Sequence, residues 1–270
     1  MTLQAQIAAE LGVAATFDAA AEAERRIDFL ARYLRDAGQR CYVLGISGGI
    51  DSTCAGRLAQ LAVERLRAEG RPARFVAMRL PYGMQRDEAD AQRALAFIRP
   101  DEVLTVDVRP ASDAMLAALR DAGLAFDDPA HEDFVLGNVK ARQRMIAQYA
   151  VAGARRGLVI GTDQAAEALM GFFTKHGDGA CDLVPLAGLN KRRVRAIART
   201  LGALDELVNK VPTADLESLS PLKPDEVAYG VTYEQIDDYL EGRPIDARAA
   251  AIVETAWRNT AHKRALPPHP

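Results

Sequence analysis

Six consecutive residues hold the densest chemistry in this 270-residue chain: Ser47, Gly48, Gly49, Ile50, Asp51 and Ser52. Two adjacent glycines let a backbone approach phosphate oxygens without Cβ interference, and they tolerate positive φ. Ser47 and Ser52 add hydroxyl donors. With a strand before them and a helix after, backbone N–H groups and the helix dipole would converge on an anion. Asp51 would repel phosphate, so its presence predicts a hard cation bridging carboxylate and polyphosphate. In isolation the same residues would read as a Gly-Gly turn with Asp51 or Ser52 as helix cap.

A second acidic group follows in Gly161-Thr162-Asp163-Gln164-Ala165-Ala166-Glu167-Ala168. On local grounds Asp163 is a helix cap and Glu167 a first-turn acid that complements the dipole. Beside Asp51, however, Glu167 is a coherent second ligand for one cation. The glycine-rich run Phe172-Phe173-Thr174-Lys175-His176-Gly177-Asp178-Gly179-Ala180-Cys181-Asp182 fails as an EF-hand on its acidic spacing and its missing terminal glutamate. There Lys175 offers charge to a phosphate or carboxylate, and Asp182 can accept hydrogen bonds from ribose or amide. In Gly137-Asn138-Val139-Lys140-Ala141-Arg142-Gln143-Arg144-Met145, Arg142 shares a helical face with Val139, Met145 and Ile146. It either snorkels from a buried face or presents a fork to an anion. Residues 79–85, ending in Gln85, read as a nucleotide-contacting loop or a plain Pro-Gly turn.

Alternating elements must position these groups. Residues 17–38 carry Ile27, Leu30, Tyr33 and Leu34 at helical spacing and end near Gly38. Residues 41–46 form an apolar run suited to a strand buried on both faces. The helix after the glycine turn points Cys54, Leu58, Leu61, Ala62 and Leu66 inward. Strands at 74–79 and 103–106 then alternate with helices at 87–98 and 112–121, a long helix runs over 132–153, and residues 158–161 make a fourth strand where the sheet ends. A basic helix at 191–201, a Pro-containing exposed loop at 212–224 and helices at 232–240 and 246–260 complete the chain. The pattern predicts a doubly wound α/β fold with a mainly parallel sheet, helices on both faces and ligands at the carboxyl ends of the strands. The expected organisation is one domain over 1–270, with an N-terminal helical segment at 1–40, an α/β nucleotide-binding core at 41–201 and C-terminal loop and helices at 202–270.

Composition narrows the function classes. A charge of −3 gives no global attraction to nucleic acid, so anion recognition must be local. No apolar run is long enough for a membrane span, and the start has no basic segment followed by an apolar block, so a soluble, cytoplasmic protein is the expectation. Cys41, Cys54 and Cys181 make no Cys-x-x-Cys pair, and the four histidines make no zinc motif; a metal should therefore be held by carboxylates.

The loop at 47–52 lacks the lysine of a Walker A loop and does not match Gly-x-Gly-x-x-Gly. It resembles the pyrophosphatase loop of the N-type ATP pyrophosphatases, which cleave ATP to AMP and pyrophosphate while adenylating a substrate. That loop is shared among NAD, GMP, argininosuccinate and asparagine synthetases and tRNA-modifying thiolases. The segment 172–182, together with Leu189-Asn190-Lys191-Arg192, Val211-Pro212-Thr213-Ala214-Asp215-Leu216-Glu217 and Ala261-His262-Lys263-Arg264, resembles the ammonia-dependent NAD synthetases nearly to the chain's end.

The resemblance implies an adenine nucleotide alpha hydrolase-like fold and ATP-dependent amidation of deamido-NAD by ammonia through an acyl-adenylate. It implies ATP contacts from Gly45, Ile46, Ser47, Gly48, Gly49, Ile50, Asp51, Ser52, Thr162, Lys191 and Thr213, and Mg²⁺ held by Asp51 and Glu167. It further implies deamido-NAD contacts from Arg142, Lys175, Asp182, His262 and Lys263, a catalytic set of Asp51, Glu167 and Lys191, and a homodimer. Ile50 and Gln164 depart from the glutamine and histidine that other ammonia-type members can carry, and no side-chain role follows at those two places. A pyrophosphatase-loop enzyme with another substrate and a non-catalytic nucleotide sensor are the competing expectations.

Overall fold

The computed structural model describes residues 2–83, 88–214, 218–219 and 223–269. The N-terminal segment forms α1 (Leu3–Glu10) and α2 (Ala19–Asp36). Asp18 starts α2 by accepting a hydrogen bond from the Ala21 N–H at 2.8 Å, and Gly38 (φ 66°) turns the chain out of it. Strand and helix then alternate through β1 (Cys41–Gly45), α3 (Ile50–Ala68), β2 (Arg74–Arg79), α4 (Glu88–Ile98), β3 (Glu102–Thr105) and α5 (Arg109–Asp121). The long α6 (Pro129–Arg155) follows, then β4 (Gly157–Val159) and the short α7 (Ala165–Met170).

The four strands are parallel in the order β3-β2-β1-β4. The residues of β1 and most of β2 are buried because both faces of these inner strands are covered, whereas the edge strand β3 is partly exposed. Tyr42, Leu44, Phe75 and Ala77 pack on one side with α2, α3, α4 and α8 (Lys191–Thr200). Cys41, Val43, Val76 and Met78 pack on the other with Ala152 of α6. The chain proceeds from β1 through β2 to β3 in one direction and adds β4 on the opposite side of β1. The order reverses there, so the loops leaving β1 and β4 diverge and open a crevice at their carboxyl ends.

The remaining elements are α9 (Asp205–Val208), β5 (Thr213–Ala214), β6 (Lys223–Pro224), α10 (Asp225–Tyr229), α11 (Tyr233–Leu240), α12 (Ala247–Asn259) and α13 (Ala261–Arg264). A separate apolar cluster holds Ile7 of α1, Leu169 of α7, Ile236 of α11 and Val253 of α12 together, so the two ends of the chain pack on the segment after β4.

Several expectations are corrected. The long helix begins at Pro129, because Asp128 caps it and proline suits the first turn. The sheet does not end at residue 161: Ile160 makes a further parallel bridge to Leu183. Within the stretch 212–224, Thr213 pairs with Pro224 and Ala214 with Lys223 in a short antiparallel ladder. Helix α1 has too weak an amphipathic pattern to read from sequence, and packing decides it. Gln85 and residues 215–217 lie outside the described residues. No helix among the described residues is long and apolar enough to cross a membrane.

The β1–β4 contact that creates the crevice is very close. A Cβ added at Gly157 would lie 2.9 Å from the Cys41 carbonyl oxygen and 3.0 Å from its Cβ. Gly157→Ala is expected to lower the unfolding free energy by about 1–3 kcal/mol, read as a lower urea midpoint at unchanged m-value. An unchanged midpoint would show that the close approach is not required.

Candidate active site

The loop leaving β1 enters α3 through Gly48 and Gly49. Gly48 has φ 84°, and a Cβ there would meet the Ala91 backbone nitrogen at 2.8 Å, so only glycine fits. Gly49 is the N-cap of α3, and no side chain caps the helix, which leaves its first turn open to an anion. The serines brace the loop: the Ser47 hydroxyl accepts from the Gly49 N–H at 3.2 Å, and the Ser52 hydroxyl donates to the Gly49 carbonyl at 3.1 Å. Neither Asp51 nor Ser52 is the cap, in contrast to the isolated-turn reading.

Lys191 opens α8, whose N-cap is Asn190. Its side chain is 1% exposed and reaches the loop. The ammonium donates to Asp51 Oδ2 at 2.5 Å and to Glu167 Oε1 at 3.4 Å, and lies 4.6 Å from the centre of the Tyr233 ring. Its backbone is fixed separately, because Asp237 accepts from the Lys191 N–H at 3.1 Å and the Arg192 N–H at 2.7 Å. Burial opposes charge on Lys191, but Asp51 and Glu167 outweigh it and push the ammonium pKa up. Burial raises the Glu167 carboxyl well above its usual range; Lys191 opposes this and Asp51 reinforces it. Burial, then the charges of Asp178 and Asp51, bring Asp163 to about 7.

These carboxylates fit a hard cation. Asp51 Oδ1 is buried and has no hydrogen-bond partner, while its other oxygen and Glu167 already converge on one positive charge. Among the described residues no cluster of three or more metal-ligating side chains exists. Two carboxylates with the remaining positions left to phosphate oxygens and water match how Mg²⁺ is usually held at nucleotides.

A cavity of about 470 Å³ opens at this point, within the size range of small-molecule sites. Gly45, Ile46, Ser47, Gly49, Ile50, Asp51 and Ser52 line it, as do Thr162, Lys191, Thr213 and Lys263. Gly48 packs behind the loop against α4. Arg142, Lys175, Asp182 and His262 do not line it. The first, second and fourth of these lie on one chain of contacts beside it: Arg142 donates to the Lys175 carbonyl at 3.2 Å, and the Lys175 ammonium to the His262 carbonyl at 2.7 Å. Lys263 donates to the carbonyls of Gly171 and Phe173, both at 2.9 Å. Asp182 accepts from the Val159 N–H at 2.7 Å, extending β4 toward residue 183.

Two local readings change. Gln164, not Asp163, is the N-cap of α7, its side chain accepting from the Ala166 N–H at 2.7 Å; Asp163 precedes the helix and faces the cavity. The face of α6 shared by Arg142 and Ile146 is exposed, whereas Gly137, Ala141, Arg144 and Gln148 face the cavity. Their spacing of four, three and four is a helical stripe that the sequence already contained. Asp225 and Tyr233 were also missed: the Tyr233 hydroxyl donates to Asp225 Oδ2 at 2.9 Å, and Asp225 lines the cavity. No local motif marks them, because they meet Lys191 only through folding.

Gly48→Ala is expected to weaken ATP binding at least tenfold by calorimetry, because the loop must move off α4 or strain. Unchanged affinity would remove the loop from phosphate binding. A pH test follows from Asp163. With its carboxyl at about 7 when folded and lower when unfolded, the native state binds the extra proton between these values. Its contribution to stability is therefore present at low pH and is lost as pH rises toward 7. Asp163→Asn should flatten the fall in thermal midpoint between pH 5 and pH 8, and an unaltered slope would contradict it.

Comparison with known proteins follows the same outline. The family model described as NAD synthase matches residues 22–267. An NH(3)-dependent NAD(+) synthetase of Burkholderia cenocepacia is 69% identical over 264 residues, covering 98% of this chain and 94% of that protein. The crystal structure of NAD+ synthetase from Burkholderia pseudomallei superposes with a TM-score of 0.85 at 69% identity, covering 98% and 96% of the two chains. The structure of NMN synthetase from Francisella tularensis gives 0.82 at 32% identity, covering 94% and 99%.

Proposed function

The chain belongs to the NAD synthase family, and from that premise we propose that it forms NAD by amidating deamido-NAD with ammonia, converting ATP to AMP and pyrophosphate. The observation that carries this reading is the convergence of Asp51, Glu167 and Lys191 beside the open N-terminus of α3. Polyphosphate would lie over the loop at 47–52. The nicotinate carboxylate attacks the α-phosphorus, pyrophosphate leaves, and ammonia displaces AMP from the acyl-adenylate. Loop N–H groups and Lys191 face the charge that develops on the phosphate oxygens as the adenylyl group transfers. Asp51 and Glu167 would hold Mg²⁺, which supplies charge neutralisation of the departing pyrophosphate. No protein nucleophile is needed, since adenylation activates the carboxylate and ammonia is itself the nucleophile.

Arg142, Lys175, Asp182, His262 and Lys263 remain our candidates for recognising the dinucleotide. Lys263 is the one that borders the cavity, so the others require the dinucleotide to extend over the rim. A homodimer is consistent with this. Ile146, 52% exposed, lies one helical turn beyond Arg142 on α6 and offers an apolar contact for a second copy. Light scattering should give about twice the chain mass, and Ile146→Glu should move it toward one chain.

ATP-dependent NAD formation from deamido-NAD in ammonium tests the reaction. Asp51→Asn and Glu167→Gln should each lower kcat/KM by about 100-fold or more. Tight ATP binding without pyrophosphate release would favour a sensor. Pyrophosphate release with a different acid, such as nicotinate mononucleotide, in preference to deamido-NAD would assign another substrate.

A further inference from the structure

The most constrained group in the cavity is also the one standing where a cation belongs. Lys191 Nζ lies 2.5 Å from Asp51 and 3.4 Å from Glu167, almost wholly enclosed. Mg²⁺ binds carboxylate oxygens at about 2.0–2.1 Å. An ammonium at these distances from Asp51 Oδ2 and Glu167 Oε1 stands where an ion bridging those two oxygens would sit, and leaves only Asp51 Oδ1 without a partner. We propose that Lys191 is a resident counter-ion occupying the divalent-cation position of the nucleotide-free site, so that the metal enters only together with the polyphosphate that receives the lysine. This inference rests on reading Asp51 and Glu167 as the metal carboxylates.

The surroundings explain why lysine moves only when phosphate arrives. The stem of Lys191 is anchored: Asn190 caps α8 by accepting from the Arg193 N–H at 3.0 Å, and Asp237 clamps the Lys191 and Arg192 N–H groups. Displacement must therefore be a rotation of the side chain, not a shift of the helix. A metal ion without nucleotide would push the ammonium off both carboxylates into a buried setting. The groups facing it there are the Tyr233 ring and, past its hydroxyl, Asp225, whose carboxylate already accepts that hydroxyl. Stranding a buried charge without a close partner is costly. Polyphosphate removes the cost, because its oxygens supply the new partner while they complete the coordination of the metal. The tetravalent anion also needs both cations, so lysine and metal cease to compete once it is present. The same arrangement keeps two adjacent carboxylates neutralised before substrate binds, which two bare acids at this depth would not tolerate.

Mn²⁺ titration, read by loss of the free-ion electron paramagnetic resonance signal, tests this without turnover. Without nucleotide, Asp51→Asn should bind Mn²⁺ within about twofold of wild type, because the lysine already denies the position. With α,β-methylene-ATP present, the same substitution should weaken Mn²⁺ binding at least tenfold. Lys191→Met, checked for folding by its urea midpoint, should bind Mn²⁺ at least tenfold more tightly than wild type when nucleotide is absent. If Asp51→Asn weakens Mn²⁺ binding equally with and without nucleotide, the lysine does not exclude the metal and the proposal is overturned, while the metal assignment stands. If neither Asp51→Asn nor Glu167→Gln alters Mn²⁺ binding in either condition, the metal assignment fails and takes the proposal with it. The Asp51→Asn comparison decides the matter even if Lys191→Met does not fold.

Discussion

A buried lysine joined to two carboxylates is the contact on which the rest of the site depends. Lys191 comes from α8, Asp51 from α3 and Glu167 from α7, so one ammonium ties together elements up to 140 residues apart in sequence. Breaking such a pair leaves an uncompensated charge in the interior, which is expensive, whereas apolar replacements of the same volume often cost nothing. Stability alone therefore gives little reason to keep it. Its composition makes sense as stored chemistry: two anions that can hold a metal and one cation that can meet phosphate, kept mutually neutral.

The sheet makes that meeting geometrically possible. Parallel strands send their carboxyl ends to one edge, and reversal of the strand order beside β1 separates the loops that follow β1 and β4. Asp51 stands in the first turn of α3 after the first loop and Glu167 in the first turn of α7 after the second, while α8, which shares a core cluster with α3, carries Lys191 at its start. The close contact of Gly157 with Cys41 and the glycine at 48 pressed against α4 set how near the loops approach. Backbone closeness, not side-chain chemistry, is what those glycines provide.

The same holds for the glycine-rich segment after α7. A Cβ at Gly177 would meet Thr174 at 2.9 Å, one at Gly179 would meet the Phe173 ring at 2.5 Å, and one at Gly171, where φ is 62°, would meet Thr260 at 2.3 Å. These residues fold the segment onto itself and onto the end of α12. Lys263, stapled to two of its carbonyls, fastens the C-terminal helix to the cavity edge. Glycine here serves packing, and through packing it shapes the wall of the site.

Local information was enough for everything that repeats or follows a short rule. Strand and helix alternation, the parallel sheet, the glycine turn at 47–52 that leads from a strand into a helix and the meeting of Asp51 with Glu167 at one site follow from periods of two and 3.6 and from what glycine and carboxylate can do. The tertiary structure alone decided which face of α6 meets the cavity and that Gln164 caps α7 while Asp163 faces inward. It decided, too, that Tyr233 and Asp225 complete the surroundings of Lys191. The physical reason is that a contact between residues distant in sequence leaves no periodic trace at either one. Asp51 and Lys191 each follow a local rule, but the 2.5 Å between them exists only once the sheet has brought their helices together.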